Sequence, residues 1–175
     1  MIKSIVCDYN CSNIYQIPVS FYKNNKIKTI LVDLDNTIIP YNQLTPSKQA
    51  YLLFDEFYKA GLEVIIITNN PKKRISKIAG KLRVKYLHLT CKPFAFRLSK
   101  FLKKNHIDRQ SCIYIGDQMI NDIFMIRKLK IKSILVEPLT KNDHISAKLV
   151  RWLDSYLRKK YKKEDRLGIN LLRKE

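Results

Sequence analysis

Two aspartates stand two residues apart in ILVDLDNTIIP, residues 30–40, directly behind a run of Ile, Leu and Val. A carboxylate pressed against an apolar strand is expensive to desolvate, so a cation must offset its charge or a reaction must use it. On an extended chain Asp33 and Asp35 project to the same side and can address one cation or one phosphorus atom. Three later stretches supply complementary groups. ITNN puts a hydroxyl at Thr68 and an amide at Asn69 at the start of a helical pattern, where backbone N–H groups also attract phosphate oxygens. CKP carries Lys92, the positive charge that an anionic transition state demands. GDQMIND carries Asp117 as a third oxygen ligand and, five residues on, Asp122, spaced to brace Lys92 or the waters of a metal. Carboxylates with water are the ligands that Mg²⁺ selects, and no His or Cys competes within these motifs.

Each motif alone is unspecific, since Asp-x-Asp is often a turn and Thr-Asn often a helix start. Their common position gives them meaning. Runs of four to seven mostly β-branched or aromatic residues predict strands over Thr29–Leu34, Glu63–Thr68, Tyr86–Leu89, Cys112–Gly116 and Ser133–Glu137. Helical patterns lie between them. One is capped by Thr45 with Pro46 in its first turn and closed by Gly61, two more open at Pro71 and Pro93, and a fourth covers Asn121–Lys128. The alternation predicts an α/β fold, a three-layer Rossmann-like parallel sheet with helices on both faces. Ligands of such sheets bind at the carboxyl ends of the strands, where all four motifs fall.

The chain has 175 residues, 46% of them hydrophobic, which fits one globular core. No apolar run approaches the roughly 20 residues that a bilayer demands, and MIKSIVCDYN lacks the apolar core of a secretory signal, so the expected location is cytoplasmic. Cys7, Cys11, Cys91 and Cys112 are too scattered for a disulfide scaffold, and Cys7/Cys11 has no second pair at finger spacing. The 34 Lys and Arg against 15 Asp and Glu give +19. Such a chain is drawn to anions, whether nucleic acid, membrane headgroups or phosphorylated substrates. Residues 72–109 alone hold thirteen basic residues and one acid, while residues 151–175 hold nine and four. Residues 1–26 are expected to form an arm packed on the domain through Ile14, Ile17, Val19, Phe21 and Tyr22. Residues 27–163 would be the domain itself and residues 164–175 a partly ordered basic tail. A last helix over about Asp143–Lys163 carries Ile145, Leu149, Trp152, Leu153 and Tyr156 on one face, expected to dock on the sheet rather than on a membrane surface or a partner.

With DLDNT, the Thr of IIITNN, the Lys of CKP and GDQMIND in this order, the chain resembles the haloacid dehalogenase-like (HAD) phosphohydrolase superfamily. From about residue 15 to residue 160 it resembles the YqeG-type subclass IIIA phosphatases, which also have a Lys-Pro after a short strand and a following VEPL. The resemblance implies strand order 5-4-1-2-3 with the nucleophile strand at the centre. It implies Asp33 as the nucleophile that becomes an aspartyl-phosphate and Asp35 as the acid and base. It also implies Mg²⁺ on the Asp33 carboxylate, the Asp35 main-chain carbonyl and Asp117, with Thr68 and Lys92 holding the phosphoryl group. Asn36 replaces the Gly of many members but tolerates positive φ, and Asn121 stands where Thr is common.

Only 32 residues separate Asp35 from Thr68 and 23 separate Thr68 from Lys92, which leaves no room for a cap domain. An open site suits a large substrate, and the basic segment around it suits an anionic one. Because the wider family includes phosphatidylglycerophosphate phosphatases, a lipid headgroup is one candidate, with a peripheral membrane location. Nucleic acid or the ribosome is another partner compatible with the charge, the protein then acting as a binding module with little catalysis. A phosphoacceptor signalling domain uses similar residues, but its nucleophile ends an interior strand of the chain, whereas Asp33 ends the first expected here.

Overall fold

The computed structural model describes residues 6–140, 148–163 and 168–172. Its strands are β1 (Tyr9–Cys11), β2 (Thr29–Val32), β3 (Glu63–Ile67), β4 (Lys85–Leu87), β5 (Cys112–Gly116), β6 (Lys132–Val136) and β7 (Ile169–Asn170). They form one parallel sheet ordered β4-β3-β2-β5-β6-β1-β7. The five expected strands are its β6-β5-β2-β3-β4 stretch, in the expected order with β2 at the centre. The two short outer strands come from the termini: β1 pairs with β6, and β7 pairs with β1. Their polar two- and three-residue spans carry too little apolar pattern to be read as strands.

Alternation along the buried strands feeds two cores. Ile30, Val32, Val64, Ile66, Ile113 and Ile115 face one side, packed with α1 (Val19–Asn24), α2 (Lys48–Lys59) and α3 (Lys72–Leu82). Leu31, Ile65, Ile67 and Tyr114 face the other, packed with α4 (Phe96–Lys104) and α5 (Met125–Arg127). Strands buried on both faces need no polar alternation, hence the continuous ILV and VIII runs. Ile14, Ile17 and Tyr22 are buried in the first core, so residues 14–22 pack on the sheet.

Several local expectations shift. Helix α2 is capped by Ser47, not Thr45: its hydroxyl accepts from the Ala50 N–H at 3.1 Å, because the chain is still extended at Ser47 and the helix begins at Lys48. Helix α4 starts at Phe96, three residues beyond Pro93, and the Lys92–Pro93 peptide bond is cis. Strand β4 ends at Leu87, after which Leu89 and Cys91 turn through left-handed φ of 48° and 60°. The stretch before α5, Met119–Phe124, winds as a wide π-turn.

The largest correction concerns α6 (Lys148–Lys163), whose expected docking face points outward. Trp152 is 68% exposed, Tyr156 56% and Leu153 41%; Ile145 and the side chain of Leu149 lie outside the described residues. The helix docks instead through Asp154, Leu157 and Tyr161, with Arg151 and Arg158 beside them. Asp154 accepts the Met119 N–H and, at 3.3 Å, that of Ile120, and it pairs with Arg158 at 3.0 Å. Polar groups satisfied at the end of the sheet thus outweigh the apolar stripe in choosing the buried face.

Candidate active site

The first acidic loop leaves the central strand in a tight turn. The Asp33 N–H donates to Ile115 O at 2.9 Å, continuing the β2/β5 ladder. Asn36 turns at φ 60°, and its N–H donates to Ile39 O at 2.7 Å. Its side-chain oxygen accepts from the Thr140 hydroxyl at 2.8 Å, and its carbonyl from the Leu139 N–H at 2.9 Å. The VEPLT segment after β6 is thereby tied to DLDNT. Asn is suited to this position because it enters left-handed φ more readily than most residues.

At the mouth of the sheet, the Lys92 ammonium is held between two carboxylates, with only 4% of its side chain exposed. It pairs with Asp33 and, at 2.8 Å, with Asp122. Asp122 also accepts from the Tyr114 hydroxyl at 2.6 Å and the Gln118 N–H at 3.0 Å. That approach depends on Gly116, where an added Cβ would lie 2.5 Å from the Asp122 carboxyl carbon. Burial works against the Lys92 charge, but Asp122 and Asp33 outweigh it and hold the ammonium charged. Burial drives Asp33 well above the usual carboxylate range; Lys92 opposes this, while Asp122, Asp117 and Asp35 add to it. Burial likewise pushes the Tyr114 hydroxyl up, so it acts as a donor.

Asp35 belongs to a separate hydrogen-bonded set. It pairs with Arg74 at 2.7 Å and accepts from the Asn70 amide. The same amide donates to the Thr68 hydroxyl oxygen at 2.7 Å, and its oxygen accepts from Arg74 at 2.7 Å. Arg74 then spans to the Tyr41 and Gln43 carbonyls at 2.5 and 3.2 Å, stitching the loop after DLDNT to the first turn of α3. Asn69, expected to face phosphate, turns its side chain to the Lys92 loop. Its oxygen accepts from the Lys92 N–H and the Thr90 hydroxyl, both at 2.9 Å, and its NH₂ donates to Lys92 O at 3.3 Å.

Asp117 ends β5, its side chain almost completely buried. Arg151 of α6 pairs with one of its oxygens at 2.8 Å, and Arg158 donates to its main-chain carbonyl. Thr37 donates to the other side-chain oxygen at 3.4 Å. Burial pushes its carboxyl up to about 7, reinforced by Asp122 and opposed by Arg151. Among the described residues, carboxylate oxygens of Asp33, Asp117 and Asp122 lie within 4.8 Å of one another. Three buried, oxygen-only carboxylates gathered this closely fit a hard divalent cation, which would offset their like charge. The Asp35 carboxylate stands outside this cluster, so its expected contribution is the main-chain carbonyl.

All seven residues singled out in the sequence therefore meet at one end of the sheet. Asn70, Arg74, Tyr114, Arg151 and Arg158 were not foreseen. Asn70 and Arg74 are four apart across the opening of α3, and Arg151, Asp154 and Arg158 repeat at helical spacing, so a polar-stripe reading of either segment would have found them.

The model of the mitochondrial PGP phosphatase family matches residues 2–139. A curated Bacillus subtilis relative named as a probable phosphatase, YqeG, is 25% identical over 141 residues, covering 81% of this chain and 82% of its own. Among solved structures, the cobalt-bound deoxy-D-mannose-octulosonate 8-phosphate phosphatase YrbI of Haemophilus influenzae superposes with a TM-score of 0.50 at 13% identity, covering 66% of this chain and 81% of that one. An uncharacterized Listeria monocytogenes serotype 4b protein gives 0.54 at 13% identity, over 76% and 99%.

Proposed function

The chain belongs to the mitochondrial PGP phosphatase family, within the HAD-type phosphatases, and on that premise we propose that it hydrolyses phosphomonoesters with Mg²⁺ through a phosphorylated Asp33. The observation that carries the reading is the caged Lys92, shared by Asp33 and Asp122 beside Asp117. An Asp33 oxygen attacks phosphorus and the bond to the ester oxygen breaks, while Asp35 gives that oxygen its proton. Water then attacks the same phosphorus, Asp35 takes up the proton, and Asp33 leaves as carboxylate. Thr68 accepts from Asn70, so its own hydrogen is left to point at a phosphoryl oxygen. Lys92 offsets the charge that gathers on the transferring group, and Asn69 and Asp122 fix its loop and its ammonium. Arg74 and Asn70 orient the Asp35 carboxylate. When bound, Mg²⁺ would be held by Asp33, the Asp35 carbonyl and Asp117, and would supply charge neutralisation between the nucleophile and the phosphoryl oxygens.

Residues 35–92 are all described and hold only α2, β3, α3 and β4 between the motifs, with no cap domain inserted there, which supports an open site. A bulky anionic substrate fits such an opening, and a phospholipid monoester of the phosphatidylglycerophosphate class is the one proposed. The three-part division into arm (1–26), domain (27–163) and tail (164–175) is proposed with it, the arm and tail contributing edge strands. Hydrolysis of an aryl phosphate with and without Mg²⁺, wild type against Asp33→Asn, tests the reading. A Mg²⁺-dependent rate lost in Asp33→Asn supports it; equal rates in both proteins, indifferent to a chelator, overturn it.

A further inference from the structure

Twelve large apolar or aromatic side chains are conspicuously exposed among the described residues, and half of them lie on the two segments that reach the catalytic carboxylates. Leu89, Phe94 and Phe96 surround Lys92 in sequence, with Phe94 60% and Phe96 64% exposed. Trp152, Leu153 and Tyr156 occupy the outer face of α6, Trp152 following directly on Arg151, which pairs with Asp117. Neither set belongs to the buried core, and the inner faces of α4 and α6 are filled by other residues. Leu98 and Leu102 of α4 and Leu157 and Tyr161 of α6 are buried.

Exposed lysines stand near them on the same helices. Lys159 and Lys160 are exposed at i+7 and i+8 from Trp152, and Lys100, Lys103 and Lys104 are exposed on α4. Side chains with an apolar body and a polar tip, set among lysines, match the boundary between acyl chains and anionic headgroups. A nucleic-acid surface would need the cations but gains little from leucine and phenylalanine outside a base-stacking groove.

We propose that the mouth of the site is a docking surface for an anionic lipid bilayer, with the Lys92 loop and the outer face of α6 as its two contacts. Leu89, Phe94, Phe96, Trp152, Leu153 and Tyr156 enter the interface, and the lysines pair with headgroup phosphates. The inference rests on the phosphatase reading only for its consequence, that a phosphorylated headgroup reaches Asp33 without leaving the membrane.

Trp152 is the sole tryptophan of the chain and reports the contact directly. The experiment mixes the full chain with vesicles of phosphatidylglycerol and phosphatidylcholine, or of phosphatidylcholine alone, and follows Trp152 emission and co-sedimentation. The expected result is a blue shift and sedimentation with the anionic vesicles only, weakened by salt. The variants Phe94→Ser/Phe96→Ser and Trp152→Ser/Tyr156→Ser should sediment at least about tenfold less, since each exchanges two apolar contacts for polar ones. Both should keep the wild-type rate on a soluble aryl phosphate, which shows that they are folded. Variants that sediment like wild type overturn the proposal, as does equal binding to zwitterionic vesicles. A Trp152 shift produced by RNA or by self-association, without vesicle binding, overturns it too. Vesicle binding in a protein inactive towards every phosphomonoester would leave the docking surface standing and remove the phosphatase reading instead.

Discussion

At the residue scale, Lys92 is the hinge of the site's electrostatics. Removing it leaves Asp33 and Asp122 facing each other in a buried place. Lys92→Ala is therefore expected to cost about 3–5 kcal/mol in stability, less whatever protonation of the acids recovers. It should slow aryl phosphate hydrolysis on the order of 10²–10³-fold, the usual effect of deleting a group that stabilises a developing anion. Denaturant melts and steady-state rates check both. Asp117 gives a pH dependence with a definite sign. Its carboxyl rises from the ordinary 3.8 to about 7, so between these values the folded protein binds more protons than the unfolded chain. Metal-free stability from this group accordingly falls as pH rises through that window. A divalent ion binds the deprotonated acids, so added Mg²⁺ should raise Tm more at about pH 8 than at about pH 6; an equal rise at both contradicts the assignment. That the seven residues meet at one end of the sheet was legible in the sequence, because each falls at or just after the carboxyl end of an expected strand. Tyr114 was not, since a tyrosine inside a buried strand looks like core until the strand is set beside Asp122.

At the scale of elements, the β5 end and its π-turn place Asp122, and Gly116 makes the space. Gly116→Ala puts a methyl 2.5 Å from the Asp122 carboxyl carbon, so either the π-turn or Asp122 must move. The expected outcome is a loss of about 1–3 kcal/mol from overpacking, with a fall in kcat exceeding that of a matched core substitution such as Ile113→Val. A wild-type kcat in a folded Gly116→Ala protein would show that the Asp122–Lys92 contact is dispensable. Helix α6 shows where sequence reading fails. Its apolar stripe of Leu149, Trp152, Leu153 and Tyr156 suggested the buried face, yet Asp154 and Arg158 form hydrogen bonds to the main chain of the π-turn and of β6 that the stripe cannot supply. Periodicity identifies a face as distinct; it does not say which face turns inward.

At the scale of the whole molecule, the sheet is a graded object with its site at the centre. β2 and β5 are fully buried, whereas the outermost pair at β7 involves two exposed residues. Hydrogen exchange should therefore be slowest in β2, β3 and β5 and fastest at β7, with β1 between them; uniform protection across all seven strands would contradict this ordering. The existence of β2 to β6 was legible from their apolar runs, and their order came with the family resemblance; β1 and β7 were not legible, because three- and two-residue pairings leave no periodic signal. The net charge of +19 acts at this scale as well, setting attraction to anionic partners without deciding the fold.

The most direct test of the central claim, transfer of the phosphoryl group to Asp33, is the stereochemical course at phosphorus. A chiral, isotopically labelled phosphorothioate ester hydrolysed by the wild-type protein with Mg²⁺ should yield product with retained configuration, since two in-line displacements invert twice. Inversion would mean that water attacks the substrate directly, and the account of Asp33 as nucleophile would be wrong.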